Sequence, residues 1–531
     1  MTVPEYSYNG NSVAYIDARV YTVDERNPWA EAFIVSAPGY FTAVGSNTEV
    51  LSLAQQHDVT VRNLHGVFIM PGIHDAHTHL LHASMQKLNE IDIGSNSTPD
   101  TIVENLKKGQ NACACAYAHV RGDWLIANFY AGDNFPDGKI DHKYLDDSFP
   151  DQPVIIRDIS CHNIVLNTAG LMRASYDIEA KENPSGGAYV RRPDGSWTGE
   201  LVEYATARAW CNLPKPPIDY VKEALQYGIK MSHQHGITSA QEASANSIYL
   251  QALQELESEG HLNMNLFTHI VHAPETFAEE SQESLHWLID VAHTFHSEHV
   301  DTRFVRFWMD GAPTPPHFTH SGLDQDGCPD ERHLLIDADI LFTALSQHDS
   351  RGLTCKIHCA GEGNNPEGPR HELAHCNAIH EDDILRMARL RITAEMSPAL
   401  FHETSLTQNF PHFKWPFKAL QNAGVHVTVG SDWIMPPTPE VFPALAAIVE
   451  TLGTDPGRTA KETGGEKVCR MITLFGAEAV GREKESGSIE VGKKANFIAV
   501  DRDLSRGEFA EARVLKTWVE GKLMYVTPSD Q

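Results

Sequence analysis

The chain has 531 residues, 41% of them apolar, and a formal net charge of −29. That length suits a large domain with a smaller one attached, and the acidic surplus excludes nucleic acid and an anionic membrane surface as partners, since both need clustered Lys and Arg. The nine scattered cysteines, odd in number, offer no disulfide framework and favour a reducing compartment, the cytoplasm.

The opening residues, MTVPEYSYNGNSV, have neither the basic nor the apolar region of a secretory signal. No apolar run approaches the roughly 18 to 20 residues of a membrane span. Residues 12–70 then read as short strands: SVAYIDARVYTVD, EAFIVSAPGYFTAVG and VTVRNLHGVFIMPG, rich in β-branched and aromatic residues and punctuated by Gly, Pro and Asn. From there the texture changes. Helical stretches such as YVKEALQYGIKMSHQHG and EDDILRMARL alternate with short apolar strands such as GVHVTVGSD, the pattern of βα units around a parallel sheet. The stretch from about 85 to 230 is long for one such unit and holds the Pro/Gly-rich NPSGGAYVRRPDGSWTG, so it is expected to contain an insertion over the site. The C-terminus returns to strands, GSIEVGKKANFIAVD and VLKTWVEGKLMYV. The expected organisation joins residues 1–68 and 485–531 in one small β domain, with a barrel over 69–484.

Histidine is abundant, with 29 in the chain, so accidental motifs must be sifted. In Pro71-Gly-Ile-His-Asp-Ala-His77-Thr-His79, the preceding VFIM reads as a strand, and residues i and i+2 of a strand share a side. His77 and His79 can therefore offer two imidazoles to one ion, at the strand ends where barrels place their sites. His233-Gln-His235 has the same spacing but closes a helix, where the two side chains diverge by about 200°; this pair reads as structural. His293, His296 and His299 read as one solvated helix face, and Cys113-x-Cys115 is too tight for a zinc knuckle and reads as inert.

Three further sites follow in order. Lys356-Ile-His358-Cys-Ala-Gly-Glu362 is an apolar strand ending on histidine. His375 ends ELAH, and Val427-Thr-Val-Gly-Ser-Asp432 is a short buried strand ending on an acid. Two His, a His, a His and an Asp suit water activation. Neutral imidazoles hold a divalent ion with a position left open, the ion lowers the pKa of bound water toward about 7, and the aspartate takes the proton. A rival motif overlaps the third site: His371-Glu372-Leu-Ala-His375 matches the zincin H-E-x-x-H, which requires both histidines on one helix face.

With these residues in hand, the chain resembles the amidohydrolase superfamily, specifically the YtcJ-like branch that includes N-substituted formamide deformylases. The resemblance runs over nearly the whole length. It rests on PGIHDAHTHL, on Cys161-His162-Asn163…Asn167, on Gly186-Gly187…Arg191…Gly195…Gly199…Glu203, on GITS, the strand-five and strand-six histidines, GSD and the terminal GSIEVGKKANF. It implies an α/β fold, a metal-dependent (β/α)₈ TIM barrel with a small β-sandwich domain built from both termini. It also implies metal ligands His77, His79, His358, His375 and Asp432, with Asp432 the catalytic proton acceptor, and substrate contacts from His162 and the Asp310-Gly311 loop. The chain departs from the family at three places. Arg306 in Val305-Arg306-Phe-Trp-Met-Asp310-Gly311 stands where the family usually has a lysine, and a guanidinium cannot act as a bridging ligand. Gly361-Glu362 replaces Gly-Asp, and Ala374-His375 replaces Glu-His.

The sequence thus favours one divalent ion over two, Zn²⁺ first, with Glu203 as an alternative carboxylate ligand and Arg306 as a group facing substrate. The expected reaction is hydrolysis of a non-peptide C–N bond, amide or formamide-like, in a small molecule. The alternatives are a decarboxylase or other lyase on the same metal site, the zincin peptidase, and an inactive barrel acting as a binding protein. A homodimer is compatible with the sequence.

Overall fold

The computed structural model describes residues 12–112, 120–273, 277–313, 315–321, 331–359, 371–376, 379–401, 415–453 and 457–528. Cys113, Cys115, Gly361 and Glu362 lie outside them.

Eight parallel strands neighbour one another in chain order: β1 (Ile73–Thr78), β2 (Ile237–Ala245), β3 (Asn265–Val271), β4 (Val300–Trp308), β5 (Thr354–Cys359), β6 (Glu372–His375), β7 (Thr393–Met396) and β8 (His426–Val429). The ring closes just past β8. There Thr78 pairs with Trp433, and the Asp432 N–H donates to the His77 carbonyl at 2.8 Å. All nine residues of β2 are buried, as expected for a strand covered on both faces. Between β1 and β2 the helix Ile218–Gln234 buries Tyr220, Val221, Ala224, Leu225 and Ile229, a stripe at three- and four-residue spacing. The barrel is therefore an α/β core with an outer ring of helices.

Both ends of the chain contribute to one pair of β-sheets. A six-stranded sheet runs in the order Lys522–Val526, Val514–Val519, Phe497–Val500, Phe68–Pro71, Arg19–Tyr21, Trp29–Ala30. N- and C-terminal strands meet where Ile498 opposes Met70, antiparallel. A four-stranded sheet of Phe41–Gly45, Ala32–Val35, Val13–Ile16 and Thr60–Asn63 accompanies it. Tyr15, Phe33, Phe41, Ile69, Phe497 and Trp518 form their common core, with Phe497 stacked on Trp518 at 4.5 Å. Phe68–Pro71 runs through Gly72 directly into β1, so the sandwich anchors the strand that carries the two leading histidines.

A second six-stranded sheet occupies residues 91–203, between β1 and β2, with order Gly187–Arg191, Trp197–Glu203, Ile164–Leu166, Val154–Asp158, Leu125–Tyr130, Ile91–Asp92. It has apolar cores of its own and leans over the barrel mouth, where the His162 ring sits 5.4 Å from that of His358.

One expectation is corrected here. His293, His296 and His299 do not share a helix face: the helix ends at Val291, His293 lies in the short turn Ala292–Phe295, and His299 leads into β4. The Ser297 N–H bonds the Val300 carbonyl and turns the chain into the strand. Among the described residues, no helix is long and apolar enough to cross a membrane.

Candidate metal centre

β1 sets the first two side chains. His77 and His79 are both buried, and the Nδ1 of His77 lies 2.7 Å from Glu395 Oε2 on β7. A carboxylate accepts, so Nδ1 carries the proton and Nε2 presents its lone pair to the barrel mouth. The other Glu395 oxygen accepts from Ser397 Oγ at 2.8 Å, which fixes the carboxylate as a support for His77.

The Asp432 carboxylate lies at the centre of the group. Its Oδ1 is 3.8 Å from His77 Nε2 and 3.5 Å from His79 Nε2, and its Oδ2 is 3.6 Å from His375 Nδ1. The candidate ligand atoms of His77, His79 and Asp432 lie within 4.8 Å of one another, the spread expected of atoms around one ion with bonds of roughly 2.0–2.2 Å. The His375 ring lies 4.8 Å from that of His77 and 4.7 Å from that of His358. His358 itself lies flat on Trp308, centroids 4.5 Å apart and planes within 7°. His77 Nε2, His358 Nε2 and His375 Nδ1 are buried with no hydrogen-bond partner among the described residues. Buried ring nitrogens normally find a partner, so three such atoms in one cluster fit a bound cation.

The backbone is strained where these groups meet. His375 has φ 73° and Asp432 φ 47°, left-handed conformations that cost a non-glycine residue about 1–3 kcal/mol each. Asp75 holds the Asp432 loop in place by accepting from Ser431 N–H at 2.8 Å and Ser431 Oγ at 2.6 Å. Gly430 is required by the close approach of the two strands: a Cβ there would lie 2.4 Å from the His77 Cβ.

Burial dominates the electrostatics. It pushes His77, His79, His358 and His375 well below the usual imidazole range, and the neighbouring cations, Arg306 among them, add to the effect. All four are therefore neutral, the form that ligates a metal. Burial and then the Glu395 charge raise Asp432 to about 7, against the pull of Arg306.

The inserted sheet supplies the opposite wall. His162 Nδ1 lies 3.0 Å from Glu203 Oε2. Burial works against the imidazolium there, but the Glu203 charge and hydrogen bond outweigh it, and the His162 pKa is raised. Glu203 also accepts from Thr319 Oγ1 at 2.5 Å and the Ala312 N–H at 3.1 Å, and its backbone has φ 51°. The structure therefore does not bring Glu203 into the ligand group considered from the sequence; its oxygens hold His162 and a loop. Asp310 is fully buried and accepts from the Ser321 N–H at 3.0 Å. It ties the loop after β4 rather than lining the cavity. Arg306, on β4, does line it.

That cavity is small, about 50 Å³, with His79, His162, Arg306, His358, His375 and Asp432 on its polar side and Phe277, Trp308, Ile434 and Met435 on its apolar side. Phe277 covers His79, ring centroids 4.4 Å apart.

The zincin alternative is corrected by the geometry. Glu372–His375 is β6, not a helix, so His371 and His375 share no helix face. His371 Nδ1 instead accepts from the Cys355 N–H at 3.0 Å. His233 and His235 close a helix as read, His233 Nε2 meeting the Asn263 carbonyl at 3.0 Å.

Sequence reasoning did not single out Glu395, Asp75, Trp308 or Lys356 for these positions. Lys356 is wholly buried two residues before His358. Its Nζ donates to the Ala76 carbonyl at 2.6 Å and Gln241 Oε1 at 2.5 Å, and lies 3.4 Å from Glu372. The available signal was a charged residue inside an otherwise apolar strand, for Lys356 and for Glu395 alike.

The amidohydrolase family model matches residues 60–525. N-substituted formamide deformylase of Arthrobacter pascens is 27% identical over 96% of this chain and 97% of its own length. The Bacillus subtilis protein YtcJ, itself named only provisionally as an amidohydrolase, is 23% identical over 95% of this chain and 98% of its own. Among solved structures, an uncharacterised metal-dependent hydrolase from Pyrococcus furiosus superposes with a TM-score of 0.67 at 18% identity, covering 93% of this chain and all of that one.

Proposed function

The chain belongs to the amidohydrolase family, and from that premise we propose that it is a metal-dependent hydrolase of a non-peptide C–N bond, amide or formamide-like, in a small molecule. The observation that carries the reading is the convergence of His77, His79 and Asp432 on one point, with the unpartnered nitrogen of His375 beside them. Similarity to a formamide deformylase over nearly its full length supports the bond class.

In this reading His77, His79, His375 and Asp432 hold a divalent ion, Zn²⁺ by the preference of imidazole and carboxylate donors, with His358 at its margin. When bound, the ion supplies Lewis acidity and brings the pKa of a coordinated water toward about 7. Asp432 Oδ2 accepts the proton from the attacking water and returns it to the departing nitrogen. A raised Asp432 pKa in the absence of an ion is consistent with a carboxylate able to carry a proton briefly. Glu395 fixes the tautomer of His77. His162, whose protonated form Glu203 favours, faces the substrate from the opposite wall. Phe277, Trp308, Ile434 and Met435 exclude bulk water and set a narrow apolar seat for the substituent. Among the described residues Cys161, Cys355, Cys376 and Cys469 are buried and in no disulfide, which supports a cytoplasmic setting.

The test is a panel of N-substituted formamides and small amides offered to the purified protein, with release of amine and acid as the readout. Activity is expected to vanish on chelation, return with Zn²⁺, and drop at least about 10³-fold in Asp432→Asn. Full activity in the chelated protein or in Asp432→Asn would sink the mechanism. Carbon dioxide in place of an amine would move the reaction to the lyases.

A further inference from the structure

Lys356 is a cation where barrels usually place apolar side chains. The interior layers of such barrels are mostly filled by branched aliphatic residues, yet Lys356 on β5 is wholly buried and its side chain crosses the interior to three other strands. Its Nζ donates to the Ala76 carbonyl of β1 at 2.6 Å and to Gln241 Oε1 of β2 at 2.5 Å, and lies 3.4 Å from Glu372 Oε2 of β6. An ammonium with three N–H donors is thus held by two hydrogen bonds and one ion pair.

The contact on β1 falls at an irregularity. Asp75 pairs with Ala240 and Thr78 with Glu242, so two residues of β1, Ala76 and His77, stand opposite one of β2, Gln241. That is a β-bulge, a device that bends a strand, re-aims a side chain and recurs next to active sites. The peptide unit between Ala76 and His77 is bonded at both ends by buried side chains. Its carbonyl accepts from Lys356 Nζ. Its N–H donates to Asp75 Oδ1 at 3.2 Å, the oxygen that also accepts from the Ser431 N–H. Gln241, opposite the bulge, is fixed in turn. Its Nε2 lies 3.3 Å from His74 Nε2, and His74 Nδ1 lies 2.9 Å from Ser239 Oγ. Burial first, and then the Lys356 charge, push the His74 pKa down to about 3. The neutral ring accepts from the Gln241 amide, which turns the amide oxygen toward Lys356.

We propose that Lys356 is a positioning residue of the metal centre: it fills the bulge before His77 and fixes the direction in which that imidazole presents Nε2. Glu395 holds the ring at Nδ1, while Lys356 holds the peptide that carries the ring. Glu372 supplies the countercharge, without which a buried ammonium would be costly. The inference rests on the metal-dependent reading above and deepens it.

The experiment is zinc affinity, measured by competition with a chromophoric chelator, on the full-length wild type and on a double variant, Lys356→Met with Glu372→Gln. Replacing both members of a buried ion pair by uncharged side chains of similar volume is often neutral for stability, so the double variant separates the aim of His77 from charge balance. It is expected to melt close to the wild type and to bind Zn²⁺ about 10–100-fold more weakly, the range typical of groups that orient a metal-ligating histidine. Wild-type zinc affinity in a folded double variant would overturn the proposal, leaving Lys356 only to neutralise Glu372 and leaving the hydrolase reading intact. Should the double variant not fold, Gln241→Met decides, since it keeps the ion pair and removes one acceptor of Lys356. A lowered affinity there upholds the proposal, and an unchanged one overturns it. No zinc binding by the wild type would bring down the metal-dependent reading and this proposal with it.

Discussion

The terminal sandwich leads into the barrel where its strand Phe68–Pro71 passes through Gly72 to β1, yet the sandwich and the barrel mouth are built on opposite rules. The sandwich core is aromatic and aliphatic: Tyr15, Phe33, Phe41, Phe497 and Trp518 pack edge-on or stacked. The mouth buries His77, His79, His358, His375, Asp432, Glu395, Lys356 and Arg306 together, with left-handed backbone at His375 and Asp432. Buried ionisable groups are costly to fold, and such strain persists only when its surroundings enforce it. The difference teaches that stability comes from one region and chemistry from the other. Substitutions should separate the two cleanly.

The largest separation is expected between Asp432→Asn and Phe497→Ala. Asp432→Asn should lower turnover at least about 10³-fold, while the metal-free protein melts no earlier, because a buried carboxylate raised to about 7 is exchanged for a neutral amide. Phe497→Ala should do the reverse, costing about 3–5 kcal/mol through the cavity it leaves, with turnover of the folded fraction unchanged. Thermal melts paired with turnover assays on both variants check this. If Asp432→Asn destabilised the protein as much as Phe497→Ala, the division would be wrong.

Glu395→Gln sharpens the comparison inside the mouth. Groups that orient a metal-ligating histidine typically matter by about 10–100-fold in metal affinity or activity. A loss in that range is expected here, in metal affinity first. An unchanged affinity would show that the 2.7 Å contact to His77 is only packing.

What was legible in the sequence divides along a related line. His77 and His79 could be found from their strand-like spacing, although β1 ends at Thr78 and His79 caps the helix that follows, and Asp432 because a short β-branched strand, ending at Val429, points to it. Glu395 could not, because its partner lies 318 residues away in the chain and nothing in Thr393–Met396 marks which residue it faces across the barrel. Glu203 could not be placed for another reason: it ends the strand Trp197–Glu203, and the turn at φ 51° aims it at His162 and Thr319. In the sandwich, the strand texture of both ends was plain, while the pairing of Ile498 with Met70 depends on contacts between ends of the chain more than 400 residues apart and has no local signature.

The junction between the two regions offers the smallest effect and the sharpest pH signature. Glu520, at the end of a sandwich strand, lies 3.2 Å from His299 Nε2, just before β4, and 2.6 Å from Lys494 Nζ. Burial alone would raise its pKa, but the hydrogen bonds from His299 and Lys494 bring it down to about 2. His299 is raised in turn, burial being outweighed by Glu520 and Glu257. A depressed carboxylate stabilises the fold above its ordinary pKa near 4.5, and that contribution fades as pH falls toward about 2. A raised histidine stabilises it fully below its ordinary pKa near 6.5, and that contribution fades as pH rises through the higher folded value. Both are present together only between about pH 5 and 6.5. Glu520→Gln is therefore expected to cost about 1–2 kcal/mol in that window, after allowance for solvent at a half-open site, and progressively less on either side. Melting curves of both proteins from pH 3 to 9 measure the difference directly. A difference that did not change with pH would mean that Glu520 joins sandwich to barrel by shape rather than by charge.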